Sequence, residues 1–177
     1  DQHGVETAVY LLGGSVELAG EARVNLEAWL KSGHSVQEID EERWESIVPT
    51  LGGFTVAIDA LLGTGLRRPL DGLYALVVEA LNDRPWFRLA VDIPSGMGAD
   101  SLEKPPLCFQ ADLTVTFTAP KTAHFLNPAQ EYLGEIRVMP IGTPRQLLDS
   151  DEWKVSVITG DLAQKGLPPR LTDSHKG

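Results

Sequence analysis

The sequence predicts an α/β protein built on a mainly parallel sheet with helices on both faces. Short apolar runs alternate with amphipathic segments along the chain, and parallel strands need such crossover connections, which are usually helices. The runs are largely apolar rather than strictly alternating, as in residues 54–63, which is typical of strands buried on both faces. At 177 residues, the chain is long enough for one well-cored domain.

Six strands are predicted from these runs, most of which are bounded by glycine, proline or charged residues. They lie in residues 5–13, 35–39, 54–63, 87–94, 111–119 and 134–142. The last two have no clear helix between them, so we expect that edge of the sheet to be mixed or differently connected. Residues 154–160 predict a further strand or an extended linker, and the polar, proline-containing residues 161–177 predict a linker.

Three helices are predicted, in residues 15–33, 40–48 and 69–83. Ser15 and Asp40 stand where an N-cap is expected, and Pro69 opens the third helix, where its missing N–H is tolerated. Apolar residues recur at helical spacing in the first helix and predict its buried face. They are Leu18, Ala22, Leu26, Trp29 and Leu30.

Composition excludes several classes of partner. The formal net charge of −10 argues against non-specific binding of nucleic acid, which needs a basic surface. No apolar stretch reaches the roughly 18 residues of a membrane span, so no membrane partner is expected. The single cysteine, Cys108, excludes an internal disulfide and indicates a cytoplasmic protein. Its apolar surroundings predict a buried packing residue rather than a nucleophile.

Polar side chains follow two strands of the predicted sheet. Asp59 ends one strand and Asp92 ends the next, with Ser95 in the turn that follows. Ligands of open α/β sheets bind beyond the carboxyl ends of the strands, so these residues are candidates for a site. Residue type leaves two interpretations open: caps and turn hydrogen bonds, or an oxygen-rich cage for potassium, sodium or magnesium.

A glycine-containing loop follows Asp59 and precedes the third helix. Its glycines allow tight turns whose N–H groups bind anions, and a helix N-terminus and two arginines add positive charge. This pattern suits a phosphate or pyrophosphate, and the alternative is a plain turn with solvated arginines. The loop consists of Gly63, Thr64, Gly65, Leu66, Arg67, Arg68 and Pro69.

Lys121 emerges after the strand in residues 111–119. There it either pairs with Asp92, reaches a phosphate, or is an ordinary surface lysine. His124 follows three residues later and is interpreted as structural, as a lone histidine usually is. The sequence has no nucleophile elbow, no Walker loop and no Gly-x-Gly-x-x-Gly after its first strand, which argues against an ordinary nucleotide-dependent oxidoreductase.

Four blocks occur in an order and spacing that resemble the NAD(P)H-hydrate epimerase family, also called the YjeF N-terminal domain. They are DALLGTGLRRPLDG, LAVDIPSGMGAD, ADLTVTFTAPK and GEIRVMPIG. The resemblance runs from about residue 5 to residue 143. It implies a Rossmann-like three-layer α/β/α sandwich, a homodimer, and interconversion of the R and S epimers of NAD(P)H hydrate (NADHX and NADPHX) in metabolite repair.

The resemblance also implies roles for particular residues. Asp59 and Ser95 match the family's potassium ligands, residues 63–69 match its nucleotide-binding loop, and Asp92 matches a substrate-binding residue. We expect Asp92 to act as the acid and base of the epimerisation, assisted by Lys121. The family's Asn-Asn-Gly-Gly-Asp-Gly loop, which supplies another potassium ligand, belongs upstream of residues 5–13 and has no counterpart in this sequence, so either it lies outside these 177 residues or it has been lost.

Two functional hypotheses follow from the resemblance. The first is an epimerase domain in residues 1–150, with residues 151–177 leading into a fused ADP- or ATP-dependent dehydratase, a lyase, because the final residues resemble the entry to that domain. The second is a non-catalytic binding or dimerisation scaffold of the same fold. The missing loop favours the scaffold, and the Asp59, Ser95 and Asp92 set favours the enzyme.

Overall fold

The computed structural model describes residues 4–101, 103–126, 128–149, 155–158 and 160–166. These residues fall into two compact units, divided between Ile141 and Gly142. All the strands described below and all the candidate site residues belong to the first unit. In the described part of the chain, no helix is both long and apolar enough to cross a membrane.

The first unit contains two parallel sheets. Strands β1 (Tyr10–Leu12) and β2 (Gln37–Ile39) form one of them. The other has the order β3-β4-β5-β6, with β3 at Val56–Asp59, β4 at Phe87–Val91, β5 at Leu113–Phe117 and β6 at Glu135–Met139. Every strand pair is parallel, which confirms the mainly parallel sheet. The mixed edge expected at the last two strands is not present, since β5 and β6 are also parallel. Short 3₁₀ helices connect that last pair.

Three α-helices lie in the first unit: α1 (Gly20–Lys31), α2 (Glu41–Ile47) and α3 (Gly72–Asn82). Asp40 caps α2 as predicted, because its carboxylate accepts the N–H of Arg43 at 2.8 Å. The prediction that Ser15 caps the first helix is wrong. Ser15 begins a separate 3₁₀ turn, since the extended backbone at Leu18 interrupts the helix.

The second unit contains α4 (Arg145–Leu148) and α5 (Gly160–Gly166). The segment predicted as a linker from residue 161 is helical in residues 161–166. Residues 155–158 have no regular structure, so the strand alternative for residues 154–160 fails in that stretch. The rest of the predicted linker, residues 167–177, lies outside the described residues.

The four-stranded sheet buries its two faces unequally. Helix α3 packs Val78 against Ala57 and Ala90, all three of which are buried. The opposite face carries Val56, Ile58 and Phe87, which are 48%, 61% and 49% exposed. This second face is therefore less covered at β3 than at β4 and β5, where Leu89, Val91 and Val115 are half-buried. The predicted core face of the first helix is wrong, because α1 has no buried residue.

Candidate functional site

The carboxyl ends of β3, β4 and β5 lie at one edge of the sheet, and each is followed by a predicted site residue. Strand β3 ends at Asp59, and its register places Asp59 opposite Ala90 in β4, two residues before Asp92. Lys121 follows β5, which pairs with β4. Parallel pairing therefore brings three distant parts of the sequence to the same edge, as the sequence predicts.

Asp92 occupies a strained turn at the end of β4. Its φ angle is +69°, a left-handed conformation that residues other than glycine seldom adopt. The sheet imposes this geometry, because the N–H of Asp92 donates to the carbonyl of Val115 in β5 at 2.7 Å. Strained residues of this kind cluster at functional sites, which favours a functional interpretation of Asp92.

The carboxylate of Asp92 has one occupied and one open oxygen. Oδ1 accepts the hydroxyl of Thr116 at 2.8 Å, the N–H of Phe117 at 3.3 Å and the ammonium of Lys121. Oδ2 makes no hydrogen bond with any described residue. The Asp92 side chain is 21% exposed, so the carboxylate is partly accessible at the edge of the sheet.

Lys121 is held against Asp92 by further contacts. Its ammonium donates to the hydroxyl of Thr116 at 2.8 Å and to the carbonyl of Phe117 at 3.2 Å. The pairing with Asp92, one of the three sequence alternatives for Lys121, is what the structure contains. Sequence reasoning missed Thr116, although its polar side chain in a largely buried strand was a usable signal.

The charge state of Asp92 limits the chemistry it can do. Burial tends to raise the pKa of Asp92, but hydrogen bonds from Lys121, Thr116 and Phe117 outweigh it and lower the pKa below its ordinary value. Asp92 is therefore ionised at neutral pH. An ionised carboxylate accepts a proton but does not supply one, so the expected role as initial acid does not fit the resting site.

Asp59 and Ser95 form a second, buried pair. The Asp59 carboxylate, 2% exposed, accepts the Ser95 hydroxyl and the Ser95 N–H at 2.7 Å each, and the N–H of Leu61 at 3.2 Å. All three donors are neutral, and none of the described residues places a cationic side chain against Asp59. Burial raises the pKa of Asp59, and the hydrogen bonds from Ser95 and Leu61 only partly oppose the rise.

The donor atoms around Asp59 fit a hard cation. The Ser95 hydroxyl oxygen lies 3.4 Å from the carbonyl oxygen of Leu62, so carboxylate, hydroxyl and carbonyl oxygens lie close together. A cation here would compensate a buried charge that now has only neutral partners. The described residues contain no cluster of three or more Asp, Glu, His or Cys suited to a metal.

The glycine-containing loop lines a surface depression of about 400 Å³ together with the residues just before it. Of the predicted nucleotide-binding residues, Gly63, Gly65, Leu66, Arg67 and Arg68 line the depression. Thr64 and Pro69 do not. The depression is also not lined by Asp92 or Lys121, so the structure shows the loop and this pair as separate parts of one sheet edge.

The backbone conformation at positions 63 and 65 does not require glycine. Neither Gly63 nor Gly65 has a positive φ, and the turn is closed by the N–H of Leu66 donating to the carbonyl of Gly63 at 3.3 Å. An added Cβ at either glycine would meet no atom within 4 Å. The open space above these residues therefore favours close approach of a ligand over a packing role.

The charges in the glycine-containing loop agree only partly with the predicted anion site. Arg68 lies 3.6 Å from the carboxylate of Asp71, which is the N-cap residue of α3. An acidic residue therefore already lies at the helix N-terminus that the sequence suggested for a phosphate. Arg67 is exposed and lines the depression, so it is the better placed of the two arginines for an anionic ligand.

Cys108 is confirmed as a buried packing residue. It is 2% exposed, and burial, with a smaller effect of Asp59, raises the pKa of its thiol to about 12. A thiol of this kind is protonated at neutral pH and is a poor nucleophile.

Comparison with known proteins identifies relatives of the chain. The family described as "YjeF-related protein N-terminus" matches residues 1–123. The bifunctional NAD(P)H-hydrate repair enzyme Nnr of Thermofilum pendens is 42% identical over 174 residues, which cover 98% of this chain and 32% of the relative. The NAD(P)H-hydrate epimerase of Rhodopirellula baltica is 37% identical over 145 residues, covering 82% of this chain and 58% of the relative.

A solved structure supports the fold. The crystal structure of the yeast protein YNL200c matches with a TM-score of 0.55 at 16% identity, covering 94% of this chain and 74% of that one. At this identity the match bears on the fold alone, and it agrees with a Rossmann-like arrangement. The chain spans about a third to three fifths of the length of the two curated relatives described above.

Proposed function

Since the chain belongs to the family of the YjeF-related protein N-terminus, we propose that it is an isomerase that interconverts the R and S epimers of NAD(P)H hydrate. The observation that carries this proposal is the Asp92–Lys121 ion pair, a partly exposed acid–base pair at the carboxyl edge of the sheet. The names of the relatives in Thermofilum pendens and Rhodopirellula baltica, a repair enzyme and an epimerase, support the substrate class.

The reaction needs a proton at one step and a base at the next. Protonation of the hydroxyl on the hydrated ring carbon releases water and leaves a planar cation, and water then adds to the opposite face and returns a proton. No atom or electron is gained or lost overall. Because Asp92 is ionised, it accepts the proton from the adding water, and the Lys121 ammonium in contact with it is the proton source for the leaving hydroxyl. Transfer of the proton from Asp92 to the neutral Lys121 amine across their contact then restores both groups.

Asp59 and Ser95 are proposed to hold a potassium ion. The donor set is all oxygen, and the buried Asp59 carboxylate has no cationic side chain against it among the described residues. The ion supplies positive charge that organises the loops at this edge. The residues that perform the proton transfers remain Asp92 and Lys121.

Potassium should stabilise the chain through Asp59. We expect saturating KCl to raise Tm by about 3–6 °C relative to choline chloride at equal ionic strength, since an ion at tenfold its Kd contributes about 1.4 kcal/mol. Asp59→Asn should abolish this difference, whereas the exposed control Asp83→Asn should keep it. If the unmodified chain has the same Tm in both salts, the potassium ion is removed from the proposal. The same measurement in LiCl and NaCl shows which cation the site prefers.

Gly65→Ala should affect substrate binding without affecting folding. The new methyl group has open space in the free chain but occupies the approach to the depression, so KM should rise about tenfold while Tm stays within about 1 °C. The matched control is Gly52→Ala, a position that is equally open but lies outside the depression. An unchanged KM in Gly65→Ala would separate the loop from the substrate.

The decisive experiment follows epimer exchange by chromatography. A preparation enriched in R-NADHX, or in R-NADPHX, is incubated with the chain in KCl, and the approach to the R/S equilibrium is compared with a protein-free control. Acceleration by the chain supports the proposal, and a rate equal to the control contradicts it. A rate equal to that of the protein-free control would favour the scaffold alternative. In that alternative, the half-exposed face of the four-stranded sheet, with Val56, Ile58 and Phe87, contacts another protein or a second copy of the chain.

We also propose a fused domain, an oligomeric state and a cellular location for the protein. The name of the Thermofilum pendens relative, a bifunctional repair enzyme, supports a dehydratase domain fused to this chain in the full-length protein. The homodimer implied by the family resemblance is tested by light scattering. A cytoplasmic location is supported by the single cysteine, which is buried as a thiol.

A further inference from the structure

The hydroxyl of Thr116 touches both charged groups of the Asp92–Lys121 pair. Its oxygen lies 2.8 Å from Oδ1 of Asp92 and 2.8 Å from Nζ of Lys121. Thr116 is 0% exposed, so its hydroxyl is shielded from bulk water. Since Asp92 and Lys121 also contact each other directly, the three side chains form a closed triangle of contacts.

The chemistry of the three groups fixes the direction of each hydrogen bond. An ammonium only donates, and an ionised carboxylate only accepts. The Thr116 hydroxyl therefore accepts from Lys121 and donates its single proton to Asp92. Each of these bonds has a charged partner, which makes it stronger than a bond between neutral groups. The pair thus orders the hydroxyl, and the hydroxyl holds the two charges against one point of β5.

The end of β5 is a firm support for this hydroxyl. Strand β5 lies inside the sheet, paired with β4 on one side and with β6 on the other. The backbone of the next residue, Phe117, contacts the same two groups: its N–H donates to Asp92 at 3.3 Å, and its carbonyl accepts from Lys121 at 3.2 Å. Groups carried by strands are held more precisely than groups carried by loops.

A second buried threonine in β5 provides a comparison. Thr114 is also 0% exposed, and it shares a face of the strand with Thr116 because successive side chains alternate. Its hydroxyl donates to the backbone carbonyl of Leu133 at 2.7 Å, a bond between neutral groups. A buried hydroxyl is costly unless it is hydrogen-bonded, and both threonines meet that need. Of the two, Thr116 meets it with the charged side chains of the candidate site.

We propose that Thr116 is a positioning residue whose hydroxyl keeps the Asp92 carboxylate and the Lys121 ammonium in contact for proton transfer. A hydroxyl suits both charge states of the pair, because it is a donor and an acceptor at once. After Lys121 has given up a proton and Asp92 has gained one, Thr116 reverses both bonds: it donates to the amine and accepts from the carboxylic acid. The proton on Asp92 then returns to Lys121, so no atom or electron is gained or lost.

The structural part of this inference concerns the chain without substrate, and only its kinetic part rests on the proposed epimerase function. Thr116→Val keeps the branched shape and removes the hydroxyl, whereas Thr116→Ser keeps the hydroxyl and removes a methyl group. The matched control is Thr114→Val, the same change at an equally buried position of the same strand. Both valine variants leave buried partners of a hydroxyl unpaired, so both should lower Tm.

The first measurement is the titration of the Asp92 carboxyl by ¹³C NMR, with Asp92→Asn used to assign the signal. Thr116→Val should move this titration to higher pH, because the charged form of Asp92 loses a hydrogen bond that favours it. Thr116→Ser should titrate close to the unmodified chain. Thr114→Val should leave the Asp92 titration in place, since its hydroxyl contacts Leu133.

The second measurement is the steady-state rate of epimer exchange. Thr116→Val should lower kcat about 10- to 100-fold with KM within about twofold, because a bond to each charged group of the proton-transferring pair is lost. The acid limb of its pH profile should move to higher pH together with the Asp92 titration. Thr116→Ser should restore kcat to within about threefold of the unmodified chain, and Thr114→Val should keep kcat while losing Tm.

The outcomes separate this inference from the proposed function. If Thr116→Val leaves the Asp92 titration and kcat unchanged, Thr116 is an ordinary buried hydroxyl and the inference is overturned. A moved titration with an unchanged kcat would overturn the role in proton transfer. Equal losses of kcat in Thr116→Ser and Thr116→Val would assign the effect to packing and overturn the role of the hydroxyl.

Two further results also have a defined reading. If Thr116→Val does not fold, Thr116→Cys decides by the same two measurements, because a thiol forms only weak hydrogen bonds. If the unmodified chain has no epimerase activity, the proposed function fails. The NMR titration then still supports or overturns the hold of Thr116 on the Asp92–Lys121 pair.

Discussion

Asp92→Asn is expected to lower kcat for epimer exchange by about a thousandfold, the middle of the range for loss of a general acid or base. The amide cannot accept the proton from the adding water, and it no longer pairs with the Lys121 ammonium. The backbone should tolerate the change, because Asn is one of the residues that adopt a positive φ most readily. Steady-state kinetics with R-NADHX, together with circular dichroism, measure both effects.

The matched control for this variant is Asp83→Asn, an exposed carboxylate at the end of α3, which should keep full activity. A kcat within threefold of the unmodified chain in Asp92→Asn would exclude Asp92 from proton transfer. Loss of kcat together with loss of the native circular dichroism spectrum would instead assign Asp92 a structural role.

The pH dependence of stability offers an independent check on the charge of Asp92. Its folded pKa lies below the ordinary value, so its contribution to stability is present above the unfolded pKa and is lost as pH falls through the folded pKa. The free energy of unfolding should therefore fall less steeply on acidification in Asp92→Asn than in the unmodified chain. Urea titrations at a series of pH values below 5 measure the difference, and equal slopes would contradict an ionised Asp92.

Gly96→Ala is expected to destabilise the chain by about 3 kcal/mol and to lower Tm by about 10 °C. Gly96 has a φ of +102°, and an added Cβ would lie 2.3 Å from the carbonyl oxygen of Leu107 and 2.9 Å from Cα of Cys108. Both are backbone atoms, so no side-chain rotation relieves the contact. The position directly follows Ser95, and the strain should also disturb the Asp59 pair.

Thermal unfolding of Gly96→Ala beside the control Gly52→Ala measures the effect. Gly52 has no positive φ, and its added Cβ would meet no atom within 4 Å, so the control should unfold within about 2 °C of the unmodified chain. Equal Tm values for the two variants would show that the turn after Asp92 does not have the packing described.

Much of the site was predictable because it depends on strand order and strand ends. Asp59 and Asp92 each follow an apolar run, and a βαβ connection places such ends at one edge of a parallel sheet. The loop from Gly63 could be placed beside them for the same reason. These inferences need only local patterns and one topological rule, and the structure confirms the placement.

The predictions that differ from the structure concern features that local patterns do not determine. Ser15 is a good N-cap residue, but the chain at Leu18 is extended and α1 begins later, at Gly20. Residues 161–166 are polar, yet they are helical, because polarity alone does not exclude a helix. Burial of α1 also depends on what packs against it, which periodicity does not reveal.

By itself, the sequence determined the fold class, the mainly parallel sheet and the set of residues at the sheet edge, because hydrophobic periodicity and chain connectivity are local properties. Only the tertiary structure decided how those residues are charged and held. The left-handed turn at Asp92, its pairing with Lys121 and the burial of His124 depend on contacts between residues more than 20 positions apart. Such contacts set solvent exposure and hydrogen bonding, and these in turn set which carboxylate is ionised.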